Sequence, residues 1–284
     1  MDDFLPVGYQ LPDSFVTTPP DFLTHKHYLD CLSGLSSGLS LTYHKNVRSK
    51  ITFSKTLSKK TGLIKLTKLS LDSEDRQITG TPDFSQVCVS WVSVKSYYLL
   101  FNMILVLKYL ITGEEIAFNT THRNLLKEFT AYIKSGELVF SVQPFNDVRQ
   151  AVNIAKWKAT SGANIRSTSF NLDERLSQIF KKLYDYDIEE FKRTQKIINI
   201  RRKSDKQKVL VYITGLEVSL IAFFYWYRIK ANYRDLEFID NGANTNQLAN
   251  YYHSYYRLTT AFYEALKALI NKLAMIRFGR NIID

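Results

Sequence analysis

The residues able to do chemistry in this chain are few, and most arrangements that would make them an active site are missing. No GxxxxGK[ST], GxGxxG, HExxH, GxSxG or CxxC occurs, which argues against the common phosphate-loop, dinucleotide, zinc-protease, serine-hydrolase and dithiol chemistries. Cys31 and Cys88, the only cysteines, belong to no Cys/His cluster and are too few for a disulfide framework. Pro82-Asp83 followed far downstream by Glu190-Phe191-Lys192 imitates a metal-nuclease pattern in form, but the gap is too wide and the second element reads as helical. Asp185, Asp187, Glu189 and Glu190 could attract a divalent cation, yet an acidic run on a helix is more often a solvated face. Neither a metal nor a cofactor is called for.

Cations are the chemistry the chain has in quantity. Lys and Arg total 38 against 27 acids, a formal net charge of +11, which attracts polyanions over long range. They also cluster. Lys45, Arg48, Lys50, Lys55, Lys59, Lys60, Lys65 and Lys68 succeed one another with no acid between them. Lys192, Arg193, Lys196, Arg201, Arg202, Lys203, Lys206 and Lys208 are offset only by Asp205. RNA or DNA is the expected partner, held by these residues through phosphates, with Tyr43 or Phe53 free to stack on bases.

The elements that must carry these residues are mainly helical. A chain of 284 residues that is 45% hydrophobic can bury a sizeable core. A Pro-, Asp- and Thr-rich arm to Pro20 leads into a short helix near Asp21–Leu35 that should add little to the core. Over Leu41–Leu71 the two-residue alternation of Ile64-Lys65-Leu66-Thr67-Lys68-Leu69 predicts a basic hairpin turning near Lys60-Thr61-Gly62, followed by a polar linker to Pro82. Apolar residues at helical spacing predict helices over Ser85–Thr112, ended by Gly113, and from Thr120 or Thr121 to Gly136. A helical turn should begin near Pro144 and run through Trp157, and the Ser/Gly/Asn loop of Ser161–Ser169 marks an internal break. Asn171 or Ser169 can cap a helix to about Ile198, and further helices span Lys206–Ala231 and Asn246–Arg277 around Asn241-Gly242-Ala243-Asn244. No internal repeat is present.

Three stretches together resemble a known family. Ser96-Tyr97-Tyr98-Leu99-Leu100-Phe101, then Thr121-His122-Arg123-Asn124-Leu125-Leu126 with Phe129, then Lys134-Ser135-Gly136-Glu137 look like the first half of a HEPN domain. Arg228-Ile229-Lys230-Ala231-Asn232-Tyr233-Arg234-Asp235 is similar to the Arg-x-x-Ala-Asp-Tyr stretch after the fourth helix of minimal HEPN proteins, with Asn232 in place of the usual aspartate. The resemblance implies a HEPN-like bundle with its core at 85–145 and 206–278, an insertion at about 150–205, and residues 1–84 as an arm with a β-containing basic segment. It also implies a component of a prokaryotic defence or toxin–antitoxin assembly.

Ribonuclease members of that family carry Arg-x(4–6)-His, and none of His25, His27, His44, His122 or His253 follows an arginine at that distance. RNA cleavage needs a proton acceptor near neutral pH and a fixed cation for the phosphate. His122 and Arg123, with Arg228 or Arg234, could supply both, giving a metal-independent endoribonuclease as the alternative to simple binding. Arg228 and Asp235 otherwise serve the bundle by pairing or by bonding helix ends.

A third possibility is a protein partner or a homodimer, docked on the Tyr-rich last helix through Tyr251, Tyr252, Tyr255, Tyr256 and Tyr263. A membrane is not expected. Val209–Ile229 is long enough to span one, but Glu217 at its middle costs roughly 2.5–3.5 kcal/mol there, so it reads as a buried core helix. Met1–Tyr9 opens with two aspartates and lacks the order of a signal peptide, so the cytoplasm is the expected location.

Overall fold

The computed structural model describes residues 20–47, 50–157, 171–197, 202–233 and 244–284. Its elements in chain order are α1 (Pro20–Leu35), β1 (Leu41–Tyr43), α2 (Lys55–Gln77), α3 (Pro82–Thr112), α4 (His122–Lys134), β2 (Leu138–Phe140), β3 (Val148–Gln150), α5 (Ala151–Lys156), α6 (Leu172–Thr194), α7 (Lys203–Thr214), β4 (Glu217–Ser219), α8 (Ala222–Tyr233) and α9 (Thr245–Phe278). Short 3-10 turns at Glu115–Phe118 and Gln143–Asn146 flank the α4–β2 unit. The mainly helical class expected from the sequence is what the chain adopts.

The central pair is α3 and α9. The Thr81 hydroxyl accepts from the Phe84 N–H to start α3, and Pro82 occupies a first-turn position where no N–H is needed. Gly113 stops it at φ 78°, its N–H closing on the Tyr109 carbonyl. A capping box of Asn244 and Gln247 starts α9. Thr259 Oγ1 donates to Ser96 Oγ at 2.8 Å and Arg277 Nε to the Leu110 carbonyl at 3.0 Å, so the two helices run side by side in the same direction. Arg277 also donates to the Ile111 carbonyl at 3.1 Å, bringing a buried cation to the carbonyl end of α3.

Several expectations are corrected. The segment predicted as a hairpin is α2, a 23-residue helix capped by Ser54, whose hydroxyl accepts from the Leu57 N–H. Leu57, Ile64 and Leu71, seven residues apart, are fully buried, while Leu66 and Leu69 face outward at 67% and 53% exposure. The local alternation is real, but a single helical stripe buries the side chains that matter. The only strand described in that region, β1, pairs antiparallel with β2, Leu41 opposite Phe140, a partner no local pattern reveals.

The expected continuous helix over Lys206–Ala231 is split. Gly215 caps α7, and Glu217–Ser219 pair with β3, Val148 opposite Ser219. That pairing also replaces the helix expected between Pro144 and Trp157 with a 3-10 turn, a strand and the short α5. α1 contributes more than expected, because Leu29, Leu32 and His25 are buried and His25 Nδ1 lies 2.7 Å from the Tyr227 hydroxyl. All these elements, α6 included, share one hydrophobic cluster. Tyr251, Tyr252, Tyr255 and Tyr263 belong to that core, and Tyr256, half-buried, donates to Asp72 at 2.6 Å. Among the described residues one helix is long and apolar enough to cross a membrane, Asp83–Thr112, and 78% of its most apolar window is buried. The loops expected at Ser161–Ser169 and Asn241–Ala243 lie outside the described residues.

Candidate functional site

His122 is the first residue of α4, placed there by the Thr121 cap, whose hydroxyl accepts from the Asn124 N–H at 3.3 Å. Its ring is enclosed by α3. Phe101, Tyr97 and Tyr98 have ring centroids 4.3, 5.4 and 5.9 Å away, and the Tyr97 hydroxyl lies 2.5 Å from Nδ1. Arg228 of α8 spreads its guanidinium over the same rings, with Cζ 5.0 Å from Tyr97, 5.5 Å from Tyr98 and 5.8 Å from Tyr225. Lys60 of α2 completes the group. Its ammonium donates to Asn102 Oδ1 at 3.0 Å, and Asn102 in turn donates to the Tyr98 carbonyl at 2.8 Å.

The electrostatics of this group are one-sided. Burial and then the charges of Arg228 and Lys60 hold the His122 imidazole below its usual range, so it is neutral at pH 7. Burial likewise lowers the Lys60 ammonium. Among the described residues no carboxylate acts on either group. Arg228 Nε and Nη1 are buried and meet no hydrogen-bond acceptor among the described residues. An aromatic face holds a cation without satisfying its N–H groups, and each buried donor left unmade costs about 1–3 kcal/mol.

Arg123, the neighbour of His122, is used differently. It ion-pairs Asp187 of α6 at 3.2 Å and lies 5.7 Å over the Trp226 ring. The Tyr212 hydroxyl of α7 donates to the same carboxylate, and its ring stacks on Phe191 at 3.9 Å. Burial raises the Asp187 carboxyl above its usual range, a shift opposed by Tyr212 and Arg123. Arg123 therefore ties α4 to α6 and α7, and of the three candidate catalytic residues only His122 and Arg228 converge. Arg234 and Asp235 lie outside the described residues.

The two basic stretches are unequal in what they leave free. In the first, Lys45 pairs with Glu137 at 2.6 Å, Lys65 with Asp284 at 3.4 Å, and Lys68 with Asp72 beneath the Tyr256 and Tyr263 rings. Lys50, Lys55 and Lys59 are exposed without an ion pair among the described residues. In the second, Arg193 pairs with Glu190 at 2.5 Å and Lys208 with Asp205 at 3.9 Å. Lys192, Lys196, Arg202, Lys203 and Lys206 have no ion pair among the described residues, and all but Lys192 are exposed. Arg48 and Arg201 lie outside the described residues. Of the first stretch, Lys60 acts on His122; Asp187, which holds Arg123, lies on α6 five residues before the second stretch begins.

Of the rings expected to stack on bases, Phe53 is 36% exposed but packs against Phe278 at 5.4 Å beneath Arg280, and Tyr43 is half-buried. The rings that do surround the site, Tyr97, Tyr98, Phe101 and Tyr225, are not among the site residues expected from the sequence. Their signal is the Tyr-Tyr-x-x-Phe spacing, which puts three aromatic side chains within about one helical turn. Among the described residues no group of three His, Cys, Asp or Glu is placed to hold a metal. No protein-family model, curated protein or solved structure matches this chain.

Proposed function

We propose that this chain is a HEPN-like protein that binds RNA or DNA through backbone phosphates. One observation carries the proposal: Arg228 lies over the Tyr97 and Tyr98 rings that pack on His122 at the start of α4, Lys60 is tied through Asn102 to the Tyr98 carbonyl, and two Arg228 nitrogens lack an acceptor among the described residues. Such a group calls for an anion from outside. The free lysines and arginine at 50, 55, 59, 196, 202, 203 and 206 extend the positive surface on which a strand would run. Three of the four stretches that carry the HEPN resemblance also meet here, with Tyr97 and Phe101 on the His122 ring and Arg228 over Tyr97. Labelled single-stranded RNA and DNA test this directly. Affinity should fall steeply as salt rises, and a fourfold Lys→Gln variant at 55, 59, 203 and 206 should flatten the slope by about 0.7 for each phosphate no longer neutralised. Binding unchanged by moderate salt would overturn the proposal.

A neutral His122 beside a fixed guanidinium also favours a second function, metal-independent cleavage of RNA: His122 takes the 2′-hydroxyl proton, the 2′-oxygen bonds to phosphorus, Arg228 stabilises the charged phosphorane, and the P–O5′ bond breaks with the 5′-oxygen taking a proton from water, leaving a 2′,3′-cyclic phosphate. Arg123, committed to Asp187, has no part in it. Cleavage in the presence of a chelator that disappears in His122→Ala would establish the enzyme; intact RNA, or cleavage indifferent to the substitution, would leave binding alone.

A further inference from the structure

A half-open cleft of about 650 Å³ lies where the end of α4 meets the β3–β4 pair, α5 and the first turns of α6. Small-molecule sites run from roughly 300 to 1,000 Å³, so the volume is that of a ligand rather than of trapped water. Gln150 pairs with Glu217 across the sheet, and Lys134 reaches the same Glu217 at 2.5 Å, which draws one wall together. Ile154 and Phe180, at 4% and 0% exposure, form the floor. We propose that this cleft binds a nucleobase, presented by a free nucleoside or unstacked from a single strand. Only the second form rests on the nucleic-acid function proposed above. The cleft is separate from the His122 group, because Lys134 is twelve residues further along α4, about 18 Å by the helical rise.

The class of ligand follows from which lining groups already have partners. The charges are matched. Lys134 pairs with Glu217, and Arg149 lies 3.7 Å from Asp147, donates to Ser177 Oγ at 2.9 Å and sits 4.3 Å over the Phe180 ring. With each lining charge answered, the cleft suits an uncharged group. The carboxamides of Gln150 and Asn153 are exposed to it, and neither makes a hydrogen bond among the described residues. Gln150 even stands at the N-cap of α5 without using its side chain to cap the helix.

The sequence of α5 puts these groups on one side. Gln150, Asn153, Ile154 and Trp157 are spaced i, i+3, i+4 and i+7, a single helical face, and all four line the cleft. That face offers two amides, an aliphatic side chain and a half-buried indole. A carboxamide presents a donor beside an acceptor, which matches the hydrogen-bonding edge of a base. The indole and the apolar floor match the flat faces of the same ring. A sugar carries hydroxyls around its whole rim and would leave some of them unpaired against Ile154 and Phe180. An aliphatic chain would leave the amides unused.

The test titrates the full chain with adenosine, uridine, ribose, and single strands of one length with or without bases, read by calorimetry and tryptophan fluorescence. Adenosine or uridine should bind and quench the emission, and ribose should do neither. Trp157→Ala should weaken nucleoside binding about tenfold, the worth of one stacked ring. Asn153→Ala and Gln150→Ala should each weaken it about fivefold, the worth of one hydrogen bond. Both residues are exposed, so these variants keep the test open if Trp157→Ala does not fold. Trp157→Phe should still bind while the quenching disappears, which assigns the signal to this cleft and not to Trp91 or Trp226. A preference for the base-bearing strand over the abasic one, erased in Trp157→Ala, would identify the strand as the source of the base. Strand binding indifferent to bases, with no nucleoside bound, would overturn the site and leave the nucleic-acid function standing. Nucleoside binding without strand binding would support the site and remove that function. Ribose bound as tightly as adenosine, or nucleoside binding untouched by all three alanine substitutions, would also overturn the site.

Discussion

The Tyr97 hydroxyl lies 2.5 Å from Nδ1 of His122, inside a ring of aromatic side chains that Arg228 caps with its charge. The imidazole is thus placed where its neutral form is favoured twice, by lost hydration and by two nearby cations. This shift has a measurable cost at acid pH. The folded-state pKa lies below the ordinary 6.5, so as pH falls the unfolded chain takes up a proton before the folded one does. The stability His122 confers is fully present above about pH 6.5 and declines below it.

Thermal unfolding of the wild type and His122→Gln between pH 8 and pH 5 isolates that effect from the other titrating groups. The wild type should lose stability relative to the variant as pH falls. A difference in Tm that stays constant across the range would show that the imidazole titrates normally in its aromatic enclosure.

Arg277 makes the complementary case, a buried cation with a defined structural task. It is 4% exposed and donates to the carbonyls of Leu110 and Ile111, which end α3 before Gly113. Arg277→Met should cost about 2–4 kcal/mol in urea unfolding, because two carbonyls are left without their donor. Arg277→Lys should recover only part of the loss, since a single ammonium cannot reproduce the fork. Full recovery by lysine would mean that charge at the helix end matters more than the paired hydrogen bonds.

Arg123 separates structure from function at the start of α4. Removing it takes from the half-buried Asp187 carboxylate one of its two described hydrogen-bonding partners, leaving the Tyr212 hydroxyl, so Arg123→Ala should lower stability by about 1–2 kcal/mol. Strand affinity, measured at a temperature where the variant remains folded, should be unchanged. A loss of affinity there would place Arg123 in the interface after all.

What can be read from the sequence is what is local. Thr121, Asn171 and Gly113 act as the caps and stop expected of them, because a cap needs only its own turn. What cannot be read is what the chain brings together over distance. β1 pairs with β2 nearly a hundred residues on, and β3 with β4, where local patterns point instead to a hairpin and one long helix. The site divides along the same line. His122 and Arg228 are recognisable as residue types, whereas the approach of Lys60 through Asn102, and the capture of Arg123 by Asp187, depend on helices meeting in space. The acids that neutralise Lys45 and Lys65, Glu137 and Asp284, are equally remote.

The α2 segment gives the sharpest test of where local patterning fails. In a hairpin, Ile64 and Leu66 would share one face and suffer alike on truncation. In the helix, Ile64 is fully buried between Leu57 and Leu71 while Leu66 is 67% exposed. Ile64→Ala should therefore cost about 2–5 kcal/mol. Leu66→Gln should stay within about 0.5 kcal/mol of wild type. Comparable losses at both positions would restore the two-residue period. Lys60, whose bond to Asn102 requires the helical register, would then leave the site with it.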